Sequence, residues 1–134
     1  MQFIDLAAQR ARIGDRIDLA VSKVIREGKY ILGPEVAEFE RKLADYVGVK
    51  HVVACANGTD ALLIPLFAFG VGRGDAVFCP SFTFAATAEV VALAGAEPVF
   101  IDIDPDTYNI DIAQLKAAIK AIRAEGRLTP KAII

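Results

Sequence analysis

The sequence of 134 residues has one histidine, two cysteines, no tryptophan and a formal net charge of −2. With His51 alone, neither a histidine-rich metal site nor a complete local Cys-His-Asp nucleophilic constellation can be assembled. Cys55 and Cys79 are far apart, and each follows an apolar run. That placement predicts two buried strand-end thiols in a reducing compartment, with no disulfide and no metal. No apolar run approaches the ~20 residues that span a bilayer, so no membrane partner is expected. Met1-Gln2-Phe3-Ile4-Asp5 lacks the basic region and apolar core of a signal peptide, and a cytoplasmic location is expected. The charge balance gives no basic footprint, which argues against nucleic acid as a partner. Neither Gly-x-Gly-x-x-Gly nor Gly-x-x-x-x-Gly-Lys-Ser/Thr occurs, so the common dinucleotide and nucleoside triphosphate cradles are missing.

What the chain does have is apolar residues, 54% of the total. That suits one domain with a single core and much two-sided burial. Phe3 to Leu6 reads as a short extended lead-in. From Ala11 to Glu27, Ile13, Ile17, Ala20, Val21, Val24 and Ile25 recur at helical spacing, and Gly28 suits the C′ position. Lys29-Tyr30-Ile31-Leu32-Gly33 is a loop with large side chains and no local element to bury them. It either packs on its own domain, lines a pocket or crosses to a partner. Pro34 suits the first turn of a helix whose apolar face is Val36, Phe39, Leu43, Tyr46 and Val47, closed by Gly48.

A first strand is expected over His51–Ala56 and a helix from Thr59 to about Phe69, bent or shortened by Pro65. A second strand spans Ala76–Cys79 and a helix runs from about Ala85 to Leu93, closed by Gly95. A third strand covers Glu97–Asp102, followed by the turn cluster Asp104-Pro105-Asp106-Thr107. Asp111 caps a helix carrying Ile112, Leu115, Ala118, Ile119 and Ile122, which Gly126 ends. Lys131–Ile134 begins a fourth strand. Helices alternate with strands that read as apolar throughout, which predicts an α/β fold with a mostly parallel sheet covered on both faces. A final apolar strand with no polar cap implies either a sheet element completed by a neighbour or a truncated frame.

Ligands of open α/β sheets sit beyond the carboxyl ends of the strands. Two such places carry chemistry. In Cys55-Ala56-Asn57-Gly58-Thr59-Asp60-Ala61-Leu62, Asn57-Gly58 tolerates positive φ and Thr59 or Asp60 can cap the helix. A strand–turn–helix of this kind aims N–H groups at one point and favours an anion there. On its own, an ordinary βα turn is the commoner explanation of such an octet. The second place, Pro80-Ser81-Phe82-Thr83-Phe84, offers an aromatic ring, although most phenylalanines in such chains are core. Together, a phosphate cradle and a ring suit a nucleotide, flavin mononucleotide or pyridoxal phosphate.

Five blocks occur in order: Tyr30-Ile31-Leu32-Gly33-Pro34-Glu35-Val36, Asn57 to Leu62, Pro80 to Glu89, Gly95 to Phe100, and Asp102 to Tyr108. In these the chain resembles the N-terminal part of the DegT/DnrJ/EryC1/StrS sugar aminotransferases, fold-type-I pyridoxal-phosphate enzymes. The opening Phe3-Ile4-Asp5-Leu6, Gln9 and Ala11-Arg12-Ile13 are similar to the branch that aminates UDP-2-acetamido-2-deoxy-3-oxo-glucuronate for surface polysaccharide. The resemblance implies a three-layer α/β sandwich forming the start of the large domain, with residues 1–33 as helix and substrate or dimer loop and 34–134 as the start of the sheet region. It implies a pyridoxal 5′-phosphate site in which Gly58, Thr59 and Asp60 hold the phosphate and Phe84 stacks on the ring. Tyr30 is then near the substrate and the interface of a homodimer, with a nucleotide-linked keto sugar and an amino donor, in the family glutamate, as partners.

Asp60 is expected to act through its N–H or as a cap, because its carboxylate would repel the phosphate. The family's catalytic lysine and the Asp that pairs with the pyridine nitrogen fall beyond Ile134. None of Lys23, Lys29, Lys42, Lys50, Lys116, Lys120 and Lys131 matches that motif. No catalytic residue is therefore expected within these residues, and the chain alone is expected not to transaminate. A related dehydratase, in which His replaces the lysine, and a non-catalytic orphan fragment are the alternatives.

Overall fold

The computed structural model describes residues 3–134; Met1 and Gln2 of the opening pentapeptide lie outside the described residues. The chain forms two compact units, one ending at Ala54 and one spanning Cys55–Ile134.

The first unit holds α1 (Leu6–Glu27) and α2 (Pro34–Val47). The extended lead-in expected over Phe3–Leu6 is not found: Asp5 caps α1 by accepting the Ala8 N–H at 2.9 Å, so Leu6 is already helical. Gly28 and Gly48 close the two helices in the left-handed conformation. Gly33 is the N-cap of α2 and Pro34 its first residue, as the missing N–H allows. Lys23 on α1 pairs with Glu35 on α2 at 2.6 Å. None of the α1 side chains is buried, and of α2 only Ala44 is.

The second unit is a parallel three-stranded sheet, order β2-β1-β3, formed by β1 (Asp75–Pro80), β2 (Glu97–Ile101) and β3 (Thr129–Ile133). Its helices are α3 (Gly58–Ala68), α4 (Ala86–Leu93) and α5 (Ile112–Glu125). Parallel neighbours need crossovers, and helices supply them. Side chains alternate along β1. Val77 and Cys79 join Leu66 of α3 and Val90 and Val91 of α4 on one face, while Ala76 and Phe78 join Ile101 and Leu115 of α5 on the other. The result is the expected three-layer α/β arrangement.

Several expectations are corrected. No strand forms over His51–Ala56. The Ala54 N–H, which a sheet neighbour would accept, instead donates to Glu40 Oε1 at 2.8 Å, and Val53 is exposed. The strands are not apolar throughout in their burial: only the central β1 is covered on both faces, while β2 and β3 have exposed positions because each is an edge. The thiols divide likewise, Cys79 being buried on β1 and Cys55, without a strand, exposed. Of the two effects expected of Pro65, shortening is not found: the helix runs on to Ala68, and the proline sits near its end, where only the Ala61 carbonyl loses a donor.

Candidate functional site

The start of α3 is built by Asn57. This residue is the N-cap, in place of the expected Thr59 or Asp60. Its Oδ1 accepts the Asp60 N–H at 2.9 Å, and its Nδ2 donates to Asp60 Oδ2 at 3.1 Å. The tolerance of Asn57-Gly58 for positive φ is not used: Asn57 is extended at φ −162°, and the left-handed residues of the second unit are elsewhere. Asn57 is used here for its side-chain acceptor, which bonds the third helical N–H.

A helix begins with N–H groups that have no intrahelical acceptor. The Asn57 side chain satisfies that of Asp60, so those of Gly58 and Thr59, the first two helical residues, remain to face outward at the positive end of the helix dipole. A Cβ built on Gly58 meets nothing within 4 Å, so the backbone there is open to close approach. The Asp60 carboxylate is occupied by the Asn57 amide. Of the three residues expected at a phosphate, two thus present N–H groups and the third completes the cap.

Phe84 follows the carboxyl end of β1, in the loop before α4, and is 78% exposed. It is not a core phenylalanine, in contrast to Phe78, which is 1% exposed. The loop is tied at its start, where the Ser81 N–H donates to the Ile101 carbonyl at 2.8 Å and the Ser81 hydroxyl to Asp102 Oδ1 at 3.3 Å. At its end the Thr83 and Thr87 hydroxyls are 2.9 Å apart. Tyr30 lies in the first unit, 66% exposed, its hydroxyl donating to the Ile25 carbonyl at 3.1 Å. Its neighbours Ile31 and Leu32 are exposed as well, and residues Gly28 to Pro34 line a surface concavity of about 400 Å³.

Sequence reasoning missed a second aromatic element. Phe82 meets Tyr108 with ring centroids 5.8 Å apart. Tyr108 has φ 59°, a left-handed conformation uncommon outside glycine. Asp104 holds it there: Oδ1 accepts the N–H groups of Asp106 and Thr107 and the Thr107 hydroxyl, and the Asp104 carbonyl accepts the Tyr108 N–H. Those donors keep the Asp104 carboxyl below its ordinary range. Asp104-Pro105-Asp106-Thr107 signalled the turn; nothing in it signalled the pairing of Tyr108 with Phe82.

Lys23 and Lys42 are tied to Glu35 and Glu38 in surface ion pairs. Among the described residues, no group of three His, Cys, Asp or Glu is placed to hold a metal ion, and no helix is long and apolar enough to cross a membrane.

Residues 11–134 match the model of the DegT/DnrJ/EryC1/StrS aminotransferase family. A UDP-2-acetamido-2-deoxy-3-oxo-D-glucuronate aminotransferase of Pseudomonas aeruginosa is 60% identical over 119 residues, covering 89% of this chain and 33% of the relative. A crystal structure of a DegT DnrJ EryC1 StrS aminotransferase from Brucella abortus matches with TM-score 0.96 and 71% identity, over 99% of this chain and 36% of that one. NtdA from Bacillus subtilis, solved with bound cofactor PMP, matches with TM-score 0.74 and 33% identity, over 89% of this chain and 26% of that one. The chain thus spans about a third of the curated relatives it matches, corresponding to their N-terminal portion. It belongs to the DegT/DnrJ/EryC1/StrS aminotransferase family.

Proposed function

We propose that this chain is the cofactor-phosphate-binding portion of a pyridoxal-phosphate-dependent aminotransferase of nucleotide-linked keto sugars. The reading is carried by the start of α3, where the Gly58 and Thr59 N–H groups lie open beside a turn with room for close approach. The exposed Phe84 ring at the carboxyl end of β1 adds a stacking surface. These residues fit the phosphate and the ring of pyridoxal 5′-phosphate. The Gly58 and Thr59 amides, with the Thr59 hydroxyl, hold the phosphate. Asp60 serves through the cap and not through its charge, because Asn57 Nδ2 engages its carboxylate. Phe84 lies against the ring. Bound there, the cofactor supplies the electron sink that amino transfer requires. The chain spans about a third of the relatives it matches, and amino transfer is proposed for a protein of their full length.

The sugar is proposed to be UDP-2-acetamido-2-deoxy-3-oxo-glucuronate, by likeness to the Pseudomonas aeruginosa enzyme at 60% identity. Glutamate is proposed as donor, a homodimer as the working form and Tyr30 as a substrate contact. In the test, the full-length protein carrying this chain is given that keto sugar, glutamate and pyridoxal phosphate. The reading expects an amino sugar and 2-oxoglutarate in equal amounts. Dehydration of a sugar without 2-oxoglutarate, or no reaction with any nucleotide-linked keto sugar, contradicts it.

A further inference from the structure

We propose that the Thr87 hydroxyl is a positioning group that holds the Phe84 loop and thereby the ring it presents; its link to cofactor affinity rests on the reading above. Thr87 is the one buried polar residue among the described residues, at 6% exposure, on α4 with buried Ala86, Val90 and Val91. A hydroxyl buried there costs stability unless it is bonded. Its partner is the Thr83 hydroxyl at 2.9 Å, on the exposed loop. The Thr87 N–H also donates to the Phe84 carbonyl at 3.0 Å. One residue therefore grips Phe84 by its backbone and the residue before it by its side chain.

Helix capping does not account for this pair. The N-cap of α4 is Ala85, with no side-chain cap bond, and the Thr83 hydroxyl faces another hydroxyl instead of a helix N–H. Packing does not account for it either, because valine would fill the same volume. The Phe84 ring is 78% exposed and has little packing of its own to fix its direction, so the loop backbone must do so. Behind Thr87 lies the central strand: its carbonyl is 3.8 Å from Cys79 Sγ on β1, which is fully buried.

The experiment places 4-fluorophenylalanine at position 84 of the 134-residue chain. Fluorine spectra are recorded with and without pyridoxamine 5′-phosphate, which has no aldehyde to label surface lysines. Thermal unfolding is followed in parallel. Thr87→Val removes the hydroxyl at constant volume, Thr87→Ser keeps it, and Thr83→Val breaks the same bond from the exposed side without disturbing the core. Expected are a broadened or divided fluorine signal in Thr87→Val and Thr83→Val, a single wild-type-like signal in Thr87→Ser, and cofactor binding about five-fold weaker in both valine variants, the loss of one hydrogen bond. Wild-type fluorine spectra and affinity in both valine variants overturn the proposal, as does a Thr87→Val variant that only lowers the unfolding temperature. If the wild-type signal does not respond to pyridoxamine phosphate, the cofactor reading fails, while the cofactor-free spectra still decide whether Thr87 holds the ring.

Discussion

Replacing Asn57 by Ala removes the cap of α3 and exposes how the site is held. Two bonds are lost: the one from the Asp60 N–H to Oδ1 at 2.9 Å, and the one from Nδ2 to Asp60 Oδ2 at 3.1 Å. The bond from the Ala61 N–H to the Asn57 carbonyl is backbone and survives. The residue is exposed, so the second bond competes with water and the N-cap contributes most of the loss, about 1 kcal/mol. For a unit of this size that lowers the unfolding midpoint by about 4–8 °C. Asn57→Asp keeps the acceptor but replaces the Nδ2 donor by a carboxylate oxygen facing Asp60. It should hold the helix start better than alanine does. Yet it sets two negative charges beside the Gly58 and Thr59 N–H groups, and an anion there should bind more weakly than in the wild type. Urea and thermal unfolding give the stabilities, and phosphate titration followed at the Gly58 and Thr59 amides gives the affinity. An alanine variant as stable as wild type, or an aspartate variant that binds phosphate as well as asparagine, refutes the reasoning.

Other outcomes follow from the same geometry. Gly33→Ala places a Cβ hard against the Lys29 carbonyl oxygen, so the loop must move. A cost of about 1–3 kcal/mol is expected, with faster hydrogen exchange at the Val36 amide, which bonds the Gly33 carbonyl. The Arg127 guanidinium holds the Glu97 carboxyl below its usual range. The stability this pair gives is therefore present above the ordinary carboxylate pKa and is lost as pH falls through the lowered one. Glu97→Gln should flatten the acid limb of a stability–pH profile. Asp111, whose carboxyl is lowered by the N–H groups of Gln114 and Ala113 that it caps, should act in the same direction, and Asp111→Asn should flatten the limb further. Thiol labelling of the native chain should stop at one equivalent, on exposed Cys55. Cys79, whose thiol burial pushes up, should react only on unfolding.

Local signals in the sequence marked much of this fold because the interactions are local. Gly28, Gly48 and Gly126 stop helices through their own backbone freedom, and Asp111 caps α5 through the next two or three residues. β1 was legible because a continuous apolar run is what a two-faced central strand requires. His51–Ala56 misled because its apolar run says that it suits a strand, not that a partner is beside it. Strand formation depends on that neighbour, and the Ala54 amide found Glu40 instead. At the site, the resemblance directed attention to Gly58, Thr59 and Phe84. It did not say that Asn57 takes the Asp60 amide and leaves two N–H groups. That depends on rotamer and φ at Asn57, which composition does not reveal. The Phe82–Tyr108 contact lay outside reach because it joins residues far apart in the chain, through a left-handed Tyr108.

The most direct test titrates the chain, ¹⁵N-labelled and carrying 4-fluorophenylalanine at position 84, with pyridoxamine 5′-phosphate while its amide and fluorine spectra are followed. The account predicts saturable shifts at the Gly58 and Thr59 amides, a smaller response at Asp60, whose N–H is already bonded, and a shift of the Phe84 ring signals over the same concentration range. Shifts that never saturate, or that appear only at lysines and leave Gly58, Thr59 and Phe84 unmoved, contradict it.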